Sequence, residues 1–284
     1  MIKLCAFSDE AEGSILGQID ALKRNGIAYT ELRSIAGKNV ADFTLDEGKE
    51  YQSIFEQNGI SVWSIGSPLG KVDIDCDFDE YAKKVEHICK LANIFKTDKI
   101  RMFSFFNAVN KKEKVFNCLT KMVEIGKKYG VYMYHENEKD IYGDTAERVQ
   151  EIMQKVDGLK YIYDPANYIQ CKQDARVTLD AFMDKTDYFH IKDVISATGE
   201  IVPAGLGDGK IDEIARKLDR DTVFTLEPHL TVFAGYSNID STELKNKYTY
   251  ENSNQAFDAS VSAIKDILKK EGYIEKNGGF VKCK

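Results

Sequence analysis

The sequence predicts an α/β protein, a single (β/α)8 TIM barrel over residues 1–284. Three observations predict it. Strand-like and helix-like stretches alternate from end to end. Eight such pairs recur at intervals of roughly 25–40 residues, the length of a parallel βα unit. The strand-like runs are almost continuously apolar, as strands are when both faces of a sheet are covered. A barrel of this kind takes about 250 residues as one domain, and no Pro/Gly/Ser-rich linker divides the chain.

IKLCAFS at 2–8 reads as the first strand, followed by an amphipathic helix from Ser14 closed by Gly26. TELRS is the second strand, and Thr44 with Glu47 forms a capping box that opens the next helix. SVWSIGS at 61–67 is the third strand, and Asp77 with Glu80 opens a long helix through Leu91. KIRMFSFF at 99–106 is the fourth, with a helix that stops near Gly130. VYMYHE is the fifth, and Asp144 is expected to cap the helix that follows, with Glu147 at the capping-box position. LKYIYDP, DYFHIKD and VFTLEPH are the sixth, seventh and eighth strands. The last helix is AFDASVSAIKDILKK, ending before Gly272.

An open doubly wound sheet would show the same alternation, with a Gly-rich phosphate turn after its first strand. The turn here is SDEAEGS, which lacks that pattern. One insertion breaks the regularity. Residues 230–252, with Phe233, Tyr236, Tyr248 and Tyr250, far exceed a typical βα loop of about 2–6 residues. A lid over the site and an interface segment are the two expectations for it.

Four successive strands end on side chains that suit a metal ion: Glu136, Asp164, His190 and Glu227. A buried polar group costs free energy unless it has a partner. Barrel active sites lie at the carboxyl ends of the strands, so one divalent cation shared by the four is the simplest partner. Singly, each residue is equally well a solvated rim carboxylate or a hydrogen-bonded core histidine. Three carboxylates and one imidazole suit Mn²⁺, Mg²⁺ or Co²⁺, and Zn²⁺ also accepts them.

Residues two apart share a strand face. Glu31 and Arg33 therefore both point to the mouth, as do His190 with Lys192 and Glu227 with His229. Arg33, Lys71 and Arg101 can grip a phosphate or carboxylate, or else form rim ion pairs such as Arg33 with Glu31. PAGLGDG at 203–209 offers backbone N–H groups to an anion, or is a tight turn with Asp208 as helix cap. His87 lies mid-helix as a structural residue, and His135 should point away from Glu136.

The net charge of −7 argues against nucleic-acid binding, which shows a basic face. No apolar stretch is long enough to span a bilayer. The six cysteines are scattered, and the first strand starts at Ile2 with no leader-like stretch before it. A cytoplasmic protein with reduced thiols is expected.

Together these residues resemble the xylose isomerase-like TIM-barrel superfamily, and above all its sugar-phosphate isomerase/epimerase branch. The likeness is carried by HEN at 135–137, DPAN at 164–167, HIKD at 190–193 and EPH at 227–229. SDE at 8–10, ELR at 31–33, GSPLGK at 66–71 and IRMFSF at 100–105 extend it over nearly the whole chain. In the ketose 3-epimerases of that superfamily the matching glutamates bind the metal and move protons, a role that carries over onto Glu136 and Glu227. The matching aspartate and histidine bind the metal, here Asp164 and His190. Asn167 stands where those epimerases carry a histidine, Lys192 is the nearest cation to their arginine, and Leu206 replaces a usual acidic residue. Asn167, Lys192 and His229 join Glu31, Arg33, Lys71 and Arg101 as the expected substrate contacts.

The resemblance implies a divalent-metal-dependent isomerase or epimerase of a sugar or sugar phosphate, working through an enediolate. A lyase dehydrating a keto-polyol or keto-sugar would use the same metal and the same first proton abstraction. A non-catalytic sugar-binding or assembly subunit is the reading from a different class. The superfamily's apurinic-site endonucleases use a histidine-rich multi-zinc cluster, whereas this chain has four histidines in all. Relatives are often dimers or tetramers, so a homo-oligomer is also expected.

Overall fold

A computed structural model describes residues 1–233 and 244–283. Eight parallel strands form the barrel: β1 Ile2–Ala6, β2 Tyr29–Leu32, β3 Ser61–Leu69, β4 Lys99–Met102, β5 Tyr132–Glu136, β6 Lys160–Tyr163, β7 Tyr188–Ile191 and β8 Thr222–Leu226. Each pairs with the next, and β8 returns to β1 with Ile2 opposite Thr222 and Ala6 opposite Leu226. That last pairing closes the barrel and removes both free sheet edges. A C-terminal hairpin, β9 Tyr273–Lys276 and β10 Gly279–Lys282, pairs antiparallel to the start of β1.

The surrounding helices are α1 Ile15–Arg24, α2 Leu45–Gln57, α3 Phe78–Ile94, α4 Lys112–Tyr129, α5 Ala146–Lys155, α6 Pro165–Gln170, α7 Ala175–Phe182, α8 Ile211–Lys217 and α9 Ser253–Lys270. Thr44 and Glu47 form the capping box of α2. Asp77 caps α3 through the N–H groups of Asp79 and Glu80. None of these helices is long and apolar enough to cross a membrane.

Two caps differ from expectation. Thr145, not Asp144, caps α5, its hydroxyl accepting from the Arg148 N–H. Asp144 instead forms an ion pair with Arg148 one turn along. Asp208 does not cap α8 but accepts from the N–H and hydroxyl of Ser196. The helix starts from Lys210 in a left-handed conformation, with no side-chain cap. The expected lid or interface at 230–252 runs across residues 234–243, Tyr236 among them, which lie outside the described residues.

Strand alternation sorts the side chains. Leu4, Met133, Phe189 and Leu226 face outward into the core under the helices. Cys5, Tyr134, Ile162, Tyr188 and Val223 face inward and pack against one another inside the barrel. Two residues further along β5, β6, β7 and β8, on the same inner face, stand Glu136, Asp164, His190 and Thr225; Glu227 follows Thr225 at the same spacing. The inner face thus turns from apolar to acidic towards the carboxyl ends of the strands.

Candidate metal and substrate site

Glu136, Asp164, His190 and Glu227 are all buried, and one ligand atom from each lies within 4.8 Å of all the others. Ligands at about 2.0–2.6 Å from a cation lie roughly 4–5 Å apart across it, so the spacing is that of one coordination sphere. His190 directs Nδ1 at Glu136 Oε1, 3.0 Å away, and at Glu227 Oε2, 3.4 Å away. Its Nε2 meets Glu31 Oε2 at 3.2 Å. Glu31 is in turn held by the Tyr188 hydroxyl at 3.1 Å. Glu31, expected from the sequence as a substrate contact, thus lies between the His190 imidazole and the Tyr188 hydroxyl. A carboxylate behind a histidine is the usual partner that fixes the tautomer and ring of a metal ligand.

Asp164 serves two roles. One oxygen accepts from the Asn167 N–H at 3.0 Å, capping α6 behind Pro165. Its other oxygen, Oδ2, is buried with no hydrogen-bond partner, as is Glu227 Oε2. Lys192 Nζ stands between these two, 3.1 Å from the first and 3.6 Å from the second. Burial, reinforced by Glu136 and Glu227, raises the Asp164 carboxyl to about 7 despite that lysine. Burial would lower His190, but Glu136 and Glu31 outweigh it and hold the imidazole well above its ordinary range. Burial would likewise raise Glu227, but Lys192, His190 and His229 hold it well below the usual carboxylate range. Three carboxylates and an imidazole in one buried sphere, two of whose carboxylate oxygens accept no hydrogen bond among the described residues and face Lys192 and His190, fit a divalent cation in both geometry and charge.

The expected anion grip is arranged differently. Arg33 is fully buried, its Nε and Nη2 held by the two oxygens of Asp9 at 2.9 Å each. Nη2 also reaches Glu10 at 3.1 Å, and Nη1 reaches Glu227 Oε1 at 3.0 Å. Its guanidinium carbon lies 4.4 Å from the centre of the Phe7 ring and 5.0 Å from that of the Phe233 ring. Arg101 donates to Glu136 Oε2 and to the Gly66 carbonyl, at 3.2 Å each. A Cβ on Gly66 would come within 2.6 Å of the Phe7 ring, so only glycine lets these groups pack together. Lys71 pairs with Glu138 at 3.0 Å and lies over Phe103. All three cations are thus engaged with carboxylates of the chain itself.

Asn167 donates to Glu136 Oε1 at 3.3 Å and to the Asn137 carbonyl at 2.9 Å. His229 adopts a left-handed backbone (φ 46°) with its N–H on Glu10 Oε2 at 2.8 Å. A non-glycine residue there is strained, and this hydrogen bond ties it to the turn after β1. The glycine-rich segment does cradle an anion, but an internal one. Asp193 accepts from the N–H groups of Gly205, Gly207 and Gly209 at 2.8, 3.1 and 2.8 Å. His135 points outward as expected, and neither ring nitrogen has a hydrogen-bond partner.

Sequence reasoning assigned no role to Asp9, Glu10, Glu138 or Tyr188. The signal for the first two was the acidic pair directly after the first strand. Glu138 and Tyr188 sit within two residues of predicted ligands.

A family model described as a xylose isomerase-like TIM barrel matches residues 19–269. Among solved structures, the chain is similar to a probable 3-DHS dehydratase, AsbF, from Bacillus anthracis, with 20% identity, 93% of this chain and 99% of that one covered, and a TM-score of 0.70. It is similar to the IolI protein solved with a zinc atom, at 16% identity over 95% and 99% of the two chains, TM-score 0.70. It is also similar to an L-ribulose 3-epimerase, at 16% identity over 95% and 97%, TM-score 0.67. At these identities the likeness is one of fold. No curated protein matches the chain.

Proposed function

This chain belongs to the xylose isomerase-like TIM barrel family, and on that premise we propose that it is a divalent-metal-dependent isomerase or epimerase of a small ketose or keto-polyol. The observation that carries the reading is the convergence of Glu136, Asp164, His190 and Glu227 within 4.8 Å of one another, buried at the carboxyl ends of successive strands. A divalent ion held by these four supplies Lewis-acid polarisation of a carbonyl and its neighbouring hydroxyl. The chain's own groups move the protons. Glu136 and Glu227 come from β5 and β8, so they can address two faces of a substrate. One removes the proton beside the carbonyl, giving an enediolate, and the other returns a proton on the opposite face in an epimerisation. An isomerisation needs one of them as shuttle. Lys192, His190 and His229 keep Glu227 ionised, as a base must be. Arg33 and Arg101 hold the two carboxylates in place through Glu227 Oε1 and Glu136 Oε2.

The substrate in this reading is unphosphorylated. Arg33 is bound bidentately to Asp9 and also to Glu227 Oε1, and Lys71 is bound to Glu138. Asp9 and Glu138 are not among the four metal ligands, so loading the ion leaves each cation with a carboxylate partner. A phosphoryl group at the far end of a sugar would have to displace one of them. Hydroxyls ask only for the hydrogen-bonding groups of Asn167, Lys192 and His229.

The test is a panel of ketoses, keto-inositols and their phosphates, incubated in deuterated water with metal-loaded protein and read by NMR. Solvent deuterium entering one carbon with retention of all oxygens supports the isomerase or epimerase. Deuterium entry with loss of water identifies a lyase. Elemental analysis that finds no metal, together with no exchange into any substrate, points to a binding or assembly subunit and defeats the enzymatic reading.

A further inference from the structure

The opposite end of the barrel carries a second cavity, of about 280 Å³, which the proposed chemistry does not use. Its lining includes Lys3, Lys99, Trp63, Tyr134, Tyr188 and Val223, together with Asp187 and Asp221. The amino-terminal face of such barrels ordinarily serves stability. Here the inner residues of the first layer are aromatic and leave space between them. The Trp63 and Tyr134 rings meet the Tyr188 ring at centroid distances of 6.2 and 5.5 Å.

The charges around this space are unevenly matched. Asp187 accepts from the Tyr161 N–H at 2.9 Å and pairs with Lys160 at 3.4 Å. Asp221 pairs with the Met1 ammonium group at 2.6 Å. Lys99 pairs with Asp98 and lies 4.5 Å over the Trp63 ring. Lys3 donates to the Tyr29 hydroxyl at 3.1 Å and lies 5.0 Å over that ring, with no carboxylate in ion-pair range among the described residues. The unmatched charge of the cavity is therefore positive, and it is set beside aromatic walls. Small-molecule sites run from roughly 300 to 1,000 Å³, so this cavity, just below that range, holds one ring and not a nucleotide.

We propose that this cavity is a second ligand site, for a small aromatic carboxylate whose ring packs among Trp63, Tyr134 and Tyr188 and whose anion meets the Lys3 ammonium. The site lies at the opposite mouth from the metal cluster, with Tyr188 between them, its hydroxyl on Glu31 at 3.1 Å.

The chain's single tryptophan stands in the wall of this cavity, so its fluorescence reports on it directly. The probe is benzoate, with benzamidine as a ring of like shape and opposite charge. Benzoate should change Trp63 emission saturably, and benzamidine should not. Lys3→Gln should weaken the benzoate response by about tenfold or more, the worth of one charge-assisted hydrogen bond, while metal binding stays as in the parent. A linear, unsaturable response to benzoate overturns the proposal, as does an equal response to benzamidine or an unchanged affinity in Lys3→Gln. Because Lys3 stands at the open end of the barrel, its replacement is not expected to disturb folding. A chemical-shift map of bound benzoate on the unmodified protein gives an independent reading, and shifts confined to the metal-cluster mouth would also overturn the proposal.

Discussion

Arg33 and Glu227 meet at 3.0 Å across the mouth of the barrel, joining the end of β2 to the end of β8. The same guanidinium holds Asp9 and Glu10 in the turn after β1. One side chain thus locks the ends of three adjacent strands and fixes the carboxylate on which the proposed proton transfer depends. Arginine suits the task because its planar fork can satisfy several carboxylates at once, which a lysine cannot.

Removing that fork leaves buried carboxylates without compensation. Arg33→Ala should lower unfolding free energy by about 3–5 kcal/mol, the cost of breaking a buried ion pair by deleting one partner. Urea denaturation followed by circular dichroism measures it. Arg33→Lys keeps the charge but not the geometry, so it should retain more stability while still losing turnover. A loss below about 1 kcal/mol for Arg33→Ala would assign the contact to the class of weak surface pairs.

Glu31 is placed to act through His190. Glu31→Gln keeps the shape, and its amide cannot present an anion to His190 Nε2, 3.2 Å away. Metal affinity should fall about 10–100-fold, the usual effect of losing a partner behind a ligand. Calorimetric titration with Mn²⁺ reads this directly, with Asp164→Asn and His190→Ala as variants expected to lose binding altogether. Unaltered Mn²⁺ affinity in Glu31→Gln would return Glu31 to the substrate-contact role that its sequence position suggested.

Much of this was legible in the chain because strand periodicity and strand ends are local. Eight apolar runs gave the barrel, and the polar residue near the end of each of the last four runs marked the four side chains that the fold brings together. What stayed hidden depends on contacts distant in sequence. Arg33 reads as an anion grip until the fold brings Asp9 and Glu227 to it. PAGLGDG reads as a tight turn capped by Asp208 or as an anion cradle, and it is a cradle for Asp193, which follows β7, while Asp208 turns to Ser196. Asp144 reads as a cap because it precedes a helix. Thr145 takes the position one residue later, and Asp144 is drawn to Arg148 instead. At the other mouth, Trp63, Tyr134 and Tyr188 look like ordinary core aromatics, since no sequence pattern reveals the space they leave between them.

If Glu136 and Glu227 transfer protons, Glu136→Gln and Glu227→Gln should each reduce turnover by several powers of ten, read as the rate of deuterium entry into substrate. An amide of the same shape preserves packing but has no basicity. Glu227→Gln should be the more damaging to structure, because Arg33, Arg101, Lys192 and His229 all lie within 3.7 Å of its carboxylate. Turnover retained in both variants removes the proton-transfer roles while leaving the ligand roles open to metal titration.

His135 provides a stability probe that does not depend on turnover. Burial pushes its pKa from 6.5 down to about 3, and neither ring nitrogen has a hydrogen-bond partner. The folded protein therefore keeps the ring neutral where the unfolded chain would protonate it. At pH above 6.5 both states are neutral and the group contributes no pH dependence. Between pH 6.5 and 3 the unfolded state alone binds the proton, so stability falls by about 1.4 kcal/mol for each unit of acidification. His135→Leu removes the titrating group while keeping a side chain of comparable bulk. The loss of stability between pH 7 and pH 5, from urea melts at each pH, should be smaller in the variant than in the parent by about 2 kcal/mol. Equal losses in the two proteins would mean that the ring gains a proton-stabilising partner in solution and is not held neutral.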